Sequence, residues 1–363
     1  MRIAINARFL SARVTGVQRY AREVVPRLCD AADIVLFVPR GVAVPAEWRE
    51  RARTVTGSLA GHAWEQLELP GRVRAYDCDV CLHLSGTASV RGGPHVMVMH
   101  DVLPLTDPAW FSARFAAWYR IAAGRAARGA AAIVTVSAWS RDRIIARLGI
   151  EPERVFVTSQ GVAPFDRPLP PEMVRPVLER LDLTSPYVLA LGAGDRRKNA
   201  TFLEAVARCW RAQHDDAPAF VVVGDANRRV HGAQPGSSHD VRSLGRVSDE
   251  VLHALYTGAA AFAFPSLAEG FGRPPLEALA CGAPIVAADY GPAAEVLGEE
   301  AAIVPLQPDA WVRTLRDVVA ADSAALRRAR AGRTAARWRW EQAMQTLLAA
   351  CDAAAPQRAR PAA

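Results

Sequence analysis

Short apolar runs alternate along the chain with longer segments whose apolar residues recur at helical spacing. Arg2–Ala7, Ile34–Val38, Val80–Leu84 and Val96–Met99 have the length and the Val/Ile/Leu content of buried strands. Between and after them, Val17–Cys29, Trp110–Ala131 and Ser140–Leu148 carry the helical period, and Ser137 suits the N-cap of the last. Ala132–Val136 is a further strand. Ala163–Pro176 is proline-rich without periodicity and reads as a linker, after which the alternation restarts. Tyr187–Leu191, Ala219–Val223, Ala261–Ser266, Ala283–Ala288 and the Ile303–Val304 pair are predicted strands. Ala200–Gln213, Asp249–Thr257, Asp309–Val319 and the basic stretch to Ala350 are predicted helices. The pattern divides the chain into 1–165, a linker 166–186, a second unit 187–335, a helix 336–352 and a disordered tail 353–363. Repeated βα alternation predicts an α/β fold, with two mostly parallel sheets each covered on both faces.

The richest chemistry lies between two of those strands, in Ala268-Glu269-Gly270-Phe271-Gly272-Arg273-Pro274-Pro275-Leu276-Glu277 and on to Gly282. Pro274 and Pro275 suit a helix start, where a missing N–H costs little, and Gly282 suits its C-terminal cap. Free N–H groups at that start attract phosphate, and Gly270 and Gly272 let a ligand approach the backbone. Glu277, expected in the first helical turn, and Glu269 on the loop can each accept hydrogen bonds from sugar hydroxyls. Either glutamate alone is equally well read as a dipole-stabilising or solvated carboxylate. A second cluster, Gly194-Asp195-Arg196-Arg197-Lys198-Asn199, sets three cations at a strand–helix junction. Standing alone it is a charged surface turn; at the same sheet edge as Glu269 and Glu277 it would stabilise a leaving diphosphate.

The Glu-x7-Glu arrangement in PSLAEGFGRPPLEALACGAPIVAADYGPAAEV resembles retaining glycosyltransferases of the GT-B fold, family 4. GVQRYARE, VMHDVLPL, VTVSAWSRDRI, LGAGDRRKNATFL and LGRVSDEVLHALYTGAAAFAFPS match in the expected order, so the resemblance spans nearly the whole chain. It implies two Rossmann-like doubly wound domains facing across a cleft, the first binding the acceptor and the second a nucleotide-diphosphate sugar. It implies a last helix that often crosses back to the first domain; Trp338 and Trp340 in that stretch are read either as its anchors or as plain helix packing. Arg197 and Lys198 then contact the donor diphosphate, Glu269 holds the transferred sugar, and Gly270, Phe271, Gly272 and Glu277 complete the donor site. Gly16 sits on a flexible loop approaching the donor phosphates, and His100 lies near the transferred sugar. Lys198, Glu269 and His100 are thereby the catalytic candidates, with no cofactor and no catalytic metal. The implied reaction is hexose transfer with retention onto a glycan or lipid-linked glycan of a bacterial surface polysaccharide, GDP-mannose being the leading donor. A non-catalytic GT-B scaffold, a sugar-nucleotide epimerase and a phosphorylase are the rivals.

Composition narrows the partners. In 363 residues, 51% are hydrophobic and 22% charged, as in a soluble globular protein of two cores. No apolar run reaches the roughly 20 residues of a membrane span, and Met1–Asn6 reads as a strand instead of a signal peptide, so a cytoplasmic location is expected. Six scattered cysteines with a single CxxC, Cys78 to Cys81, argue against metal or redox use. The net charge of +7 comes largely from arginines such as Arg327, Arg328, Arg330, Arg333, Arg337 and Arg339, read as a solvated helix face. No nucleic-acid motif accompanies it. Trp110, Phe111, Arg114, Phe115, Trp118, Tyr119, Arg120, Arg125 and Arg128 mix aromatics with cations at helical spacing. That face is either core packing with a basic edge or a peripheral contact with an anionic membrane.

Overall fold

The computed structural model describes residues 1–192, 195–224 and 240–356. The chain forms two compact units, one built from Met1–Thr106, Ala117–Gln160 and the chain from Trp340, the other from Asp107–Ala116 and Gly161–Arg339. Each contains one wholly parallel sheet.

In the first unit, β1 (Arg2–Asn6), β2 (Asp33–Val38), β3 (Arg53–Thr56), β4 (Val80–His83), β5 (His95–Val98), β6 (Ala132–Thr135) and β7 (Val155–Val157) run in the order 3-2-1-4-5-6-7. The order reverses between β1 and β4, which makes that point a ligand-binding crevice in open α/β sheets. β3 and β7 were not predicted, and both are edge strands. An edge strand is only half covered, so RTVT and VFV lack the continuous apolar run that marks the central strands. The first long helix, α1 (Gly16–Ala31), buries Tyr20, Ala21, Val24, Val25 and Leu28 on one face. Its start is fixed by a capping box of Thr15 with Gln18, so Gly16 is the first helical residue and not part of a preceding loop.

In the second unit, β8 (Tyr187–Leu191), β9 (Ala219–Val223), β10 (Arg242–Gly245), β11 (Ala261–Phe264), β12 (Ile285–Ala287) and β13 (Ala301–Ile303) run in the order 10-9-8-11-12-13. The reversal here falls between β8 and β11. Leu203, Val206, Trp210, Phe220, Val222, Trp311 and Leu315 fill one side of this sheet. A helix, Pro171–Arg180, occupies the segment expected to be linker. Pro170 and Pro171 stand at its N-cap and first position, where their ring geometry suits a helix start. Pro176 removes one internal bond, which packing of Val174 and its neighbours against the Asp249–Gly258 helix offsets.

The basic C-terminal stretch is two helices, Ala324–Arg337 and Trp340–Ala354, broken at Trp338 and Arg339. Its arginines are not all solvated. Arg327 pairs with Asp322 and donates to the carbonyls of Thr257 (3.1 Å) and Ala259 (2.8 Å), while Arg330 donates to that of Gly282 (2.7 Å). These are the orphan acceptors at helix C-termini. The last helix runs two residues into the predicted tail, of which 357–363 lie outside the described residues.

Candidate functional site

The second unit assembles a charged cluster at its β8/β11 reversal. After β8 the backbone turns through Gly192, at φ +101°, into a tight turn over Arg196–Lys198. Gly194 of the predicted motif lies outside the described residues. Asp195 organises the turn: its carboxylate accepts the Arg197 backbone N–H at 3.0 Å and the Arg197 guanidinium at 2.6 Å. Arg196 is exposed. After β11, the Leu267 N–H donates to the Arg197 carbonyl at 2.7 Å, which ties the two loops together. The Lys198 Nζ therefore reaches Glu269 Oε1 at 2.7 Å, with Arg197 Nη1 4.0 Å from the other carboxylate oxygen. The Ser266 hydroxyl donates to Glu269 Oε1 at 2.6 Å. Burial alone would raise the Glu269 carboxyl pKa, but the Lys198 and Arg197 charges outweigh it and hold Glu269 below the ordinary carboxylate range. It is a carboxylate at neutral pH, matched by cations from a neighbouring loop.

Beside that cluster begins the helix Arg273–Ala280, capped by Gly272 at φ +93°. A Cβ on Gly272 would lie 2.5 Å from the Tyr290 hydroxyl, so the loop passes over that ring only as glycine. Gly270 and Phe271 are buried, and the Phe271 ring meets Trp338 edge-on at 5.3 Å. The helix starts at Arg273, one residue before the prolines, and this shifts Glu277 into the second turn instead of the first. Glu277 therefore does not serve the helix end. It is buried, with Oε1 accepting from Arg273 Nη2 at 2.7 Å and Oε2 accepting from the Tyr256 hydroxyl at 3.0 Å. Neither partner was anticipated: Tyr256 is 21 residues away on another helix, and Arg273 stands where a cation opposes the helix dipole.

Gly16 and His100 belong to the first unit. His100 follows β5 and its ring meets Tyr20 edge-on at 5.1 Å. The adjacent Asp101 accepts the Leu103 N–H at 2.9 Å, and its carbonyl accepts from the buried Tyr119. At the β1/β4 reversal of this unit stands a polar network that the sequence reading missed. Asn6 Oδ1 accepts the Arg8 N–H at 3.0 Å, which orients the amide so that Nδ2 donates to Glu65 (2.7 Å) and to His83 Nδ1 (3.0 Å). Arg8 Nε donates to Glu65 at 3.1 Å, and its Nη2 to Thr87. Burial works against the Glu65 charge, but His62, Arg8 and His83 lower its pKa to about 2. Burial, with His95 and Arg8, lowers His83 to about 3, despite Glu65. Glu65 lies in a π-helical turn, Trp64–Glu68, a distortion common at functional positions. Such a turn has no periodicity by which to read it from sequence.

Burial pushes the Cys78 thiol up to about 11 and Cys81 further, so neither is a thiolate at neutral pH. On the aromatic and basic helix (Ala113–Gly129), Tyr119 is buried, Trp118 lies 4.4 Å from His62, and Arg114, Arg120, Arg125 and Arg128 are exposed. Leu59, Leu67 and Val90 form an unpredicted apolar surface, 39%, 76% and 45% exposed. Bonds from the Leu59 N–H to Glu68 and from the Val90 N–H to Gln66 draw their loops together.

Two family profiles match the chain: "Glycosyltransferase Family 4" over residues 14–164 and "Glycosyl transferases group 1" over 178–338. The chain is 29% identical to the O-antigen chain mannosyltransferase B of Escherichia coli, over 56% of this chain and 55% of that protein. It is 40% identical to a D-inositol 3-phosphate glycosyltransferase of Mycolicibacterium vanbaalenii, over 35% of this chain and 29% of that one. The chain thus spans about half the length of these curated relatives, or less. Anabaena HepE, crystallised with UDP and glucose, superimposes with a TM-score of 0.69 at 19% identity, covering 97% of this chain and 99% of that one. At that identity the likeness establishes the GT-B fold.

Proposed function

The chain belongs to glycosyltransferase family 4, and on that premise we propose that it moves a hexose from a nucleotide-diphosphate sugar to a glycan or lipid-linked glycan. The observation that carries this reading is the Lys198–Glu269–Arg197 cluster at the β8/β11 reversal, beside the N-terminus of the Arg273–Ala280 helix. Without ligand, the cation and the carboxylate neutralise each other. A donor brings phosphate oxygens to Lys198 and Arg197, and sugar hydroxyls to Glu269. The exchange replaces one charge-assisted bond with two sets of the same kind. As the glycosidic bond breaks, negative charge grows on the diphosphate, where Lys198 and Arg197 are preorganised to stabilise it.

Glu269, already paired with lysine, is a holder of the sugar and not a nucleophile. That assignment favours retention through a short-lived ion pair, with the leaving phosphate taking the acceptor proton and no catalytic metal. His100 is assigned to the transferred sugar and Gly16 to the donor phosphates. Relatives named mannosyltransferases make GDP-mannose the leading donor and surface polysaccharide the destination. An acceptor at the cytoplasmic face of an anionic membrane fits the exposed arginines of the Ala113–Gly129 helix and the apolar Leu59–Leu67–Val90 surface. Among the described residues no helix is long and apolar enough to cross a membrane, so this contact would be peripheral.

Thermal denaturation with a panel of nucleotide sugars and matched nucleoside diphosphates tests the reading. Ligand at a hundredfold its dissociation constant stabilises the folded state by about 2.7 kcal/mol. One base series raising the melting temperature supports a donor site; no shift with any nucleotide, in a folded sample, overturns it.

A further inference from the structure

Phe111 fits neither reading of the aromatic and basic stretch, and we infer that it is a positioning residue for Arg197, its ring holding the guanidinium so that Nη1 is presented to the donor's diphosphate. The inference rests on the donor reading above and deepens it. Elsewhere in the stretch Tyr119 is buried and the arginines are exposed. Phe111 instead lies on Asp107–Ala116, a short segment that groups with the second unit while the chain on either side of it groups with the first. Its ring is only half-buried, and a cation lies against it: Arg197 Cζ is 5.5 Å from the ring centroid. That is within the range over which an aromatic face attracts a guanidinium.

Local structure aims the ring. Pro108 opens a 3-10 turn that ends at Trp110, where the Phe111 N–H donates to the Pro108 carbonyl at 3.0 Å. Phe111 itself is extended, at φ −120° and ψ 161°. The next residue, Ser112, accepts the Phe115 N–H at 3.4 Å at the start of the Ala113–Gly129 helix. Phe111 is thus an extended residue between two helical turns, and its side chain follows neither period. On the other side of the contact, Asp195 holds one edge of Arg197, Nε at 3.2 Å and Nη2 at 2.6 Å. An ion pair along one edge leaves the guanidinium plane free to swing about that edge. A ring against the plane removes the swing, and Nη1 is turned to Glu269, 4.0 Å away, where the donor is assigned. Lys198 has a similar support, its Nζ 4.6 Å from the centroid of the buried Phe264. Unlike a further carboxylate, a ring holds a cation without neutralising it, which leaves the charge to the diphosphate.

The test is calorimetric titration of wild type, Phe111→Leu, Phe111→Met and Phe111→Tyr with UDP, GDP and the matching monophosphates. Wild type is expected to prefer the diphosphate of its base series. Leucine and methionine fill the space without a π face, so each should narrow that preference about fivefold by weakening the diphosphate alone. Tyrosine keeps the face and should keep the preference. Circular dichroism identifies a variant that fails to fold, and either Phe111→Leu or Phe111→Met decides the matter by itself. Both non-aromatic variants keeping the full preference would overturn the inference. So would equal weakening of mono- and diphosphate, as general loosening of the segment would give, or a loss shared by Phe111→Tyr. Wild type binding mono- and diphosphate equally also overturns it, leaving the donor site intact. Wild type binding neither nucleotide overturns the donor reading itself.

Discussion

Lys198 touches Glu269 and faces the place assigned to the diphosphate, so its removal separates binding from chemistry. Lys198→Ala should lower kcat about a hundredfold, the usual effect of losing one donor to a developing anion. The fold should survive, since Arg197 remains 4.0 Å from Glu269. Steady-state kinetics with circular dichroism checks this, and wild-type turnover would refute the role. Acid stability turns on a different residue. His83 has a pKa of about 3 in the fold against an ordinary 6.5. Between those values the unfolded chain binds a proton that the folded one refuses, so stability falls as pH drops through that window. From pH 7 to 5 the loss should be about 2 kcal/mol. Glu65 acts with the opposite charge and lower down: its stabilisation is complete above about pH 4.5 and disappears as pH falls through about 2. His83→Gln keeps an acceptor for Asn6 without a titrating ring, and should flatten the pH 7 to 5 loss in urea unfolding. His95 is depressed as well, so some slope remains. Lys198 and Glu269 were legible in the sequence because each lies in a short local motif. The Asn6–Glu65–His83 network was not, because its members are 59 and 77 residues apart and meet only through sheet topology.

At the level of elements, the loops that carry the site are shaped by glycines whose backbone no other residue would adopt comfortably. Gly192 combines φ +101° with a neighbour: a Cβ there would fall 2.3 Å from Lys198 Cγ. Gly41 has a similar φ of +77°, but its Cβ would meet nothing within 4 Å. Gly41→Ala is therefore a control for backbone strain alone, about 1–2 kcal/mol. Gly192→Ala should cost as much in stability and also displace Lys198, cutting turnover well beyond the Gly41 variant. Equal activities would mean that the Lys198 position does not matter. The same level explains which elements could be read in advance. Central strands such as Tyr187–Leu191 are covered on both faces and write a continuous apolar run. The edge strands β3, β7 and β10 write none, and the helix over Pro171–Arg180 was obscured by prolines that in fact mark its start. One shifted boundary mattered chemically. Starting the helix at Arg273 brings that arginine and Glu277 into the i, i+4 relation.

For the whole molecule, the sequence order of segments and their structural grouping part company at the C-terminus. The chain leaves the first unit after Gln160 and rejoins it at Trp340. Near these passages Val162 donates its N–H to the Trp338 carbonyl at 3.3 Å. The rejoining helix, Trp340–Ala354, buries Trp340, Ala343, Leu347, Ala350 and Cys351, and packs on α1, β5 and β6. Trp340 is 1% exposed with its ring 5.7 Å from Tyr20, on the helix that begins with Gly16. The first unit's sheet therefore lacks part of its cover without this helix. Periodicity announced a helix here, but only the three-dimensional partners assign it to one unit. Truncation after Arg339 should accordingly damage the first unit while sparing the second, whose residues end there. Trp340→Ala is the gentler form, removing a buried indole at a cost of about 3–5 kcal/mol. Limited proteolysis followed by mass spectrometry distinguishes the outcomes. Cleavage confined to the first unit's own segments, with nucleotide binding retained by the second unit, is expected for both variants. Uniform cleavage of the two units would mean that the final helix supports the chain as one cooperative body.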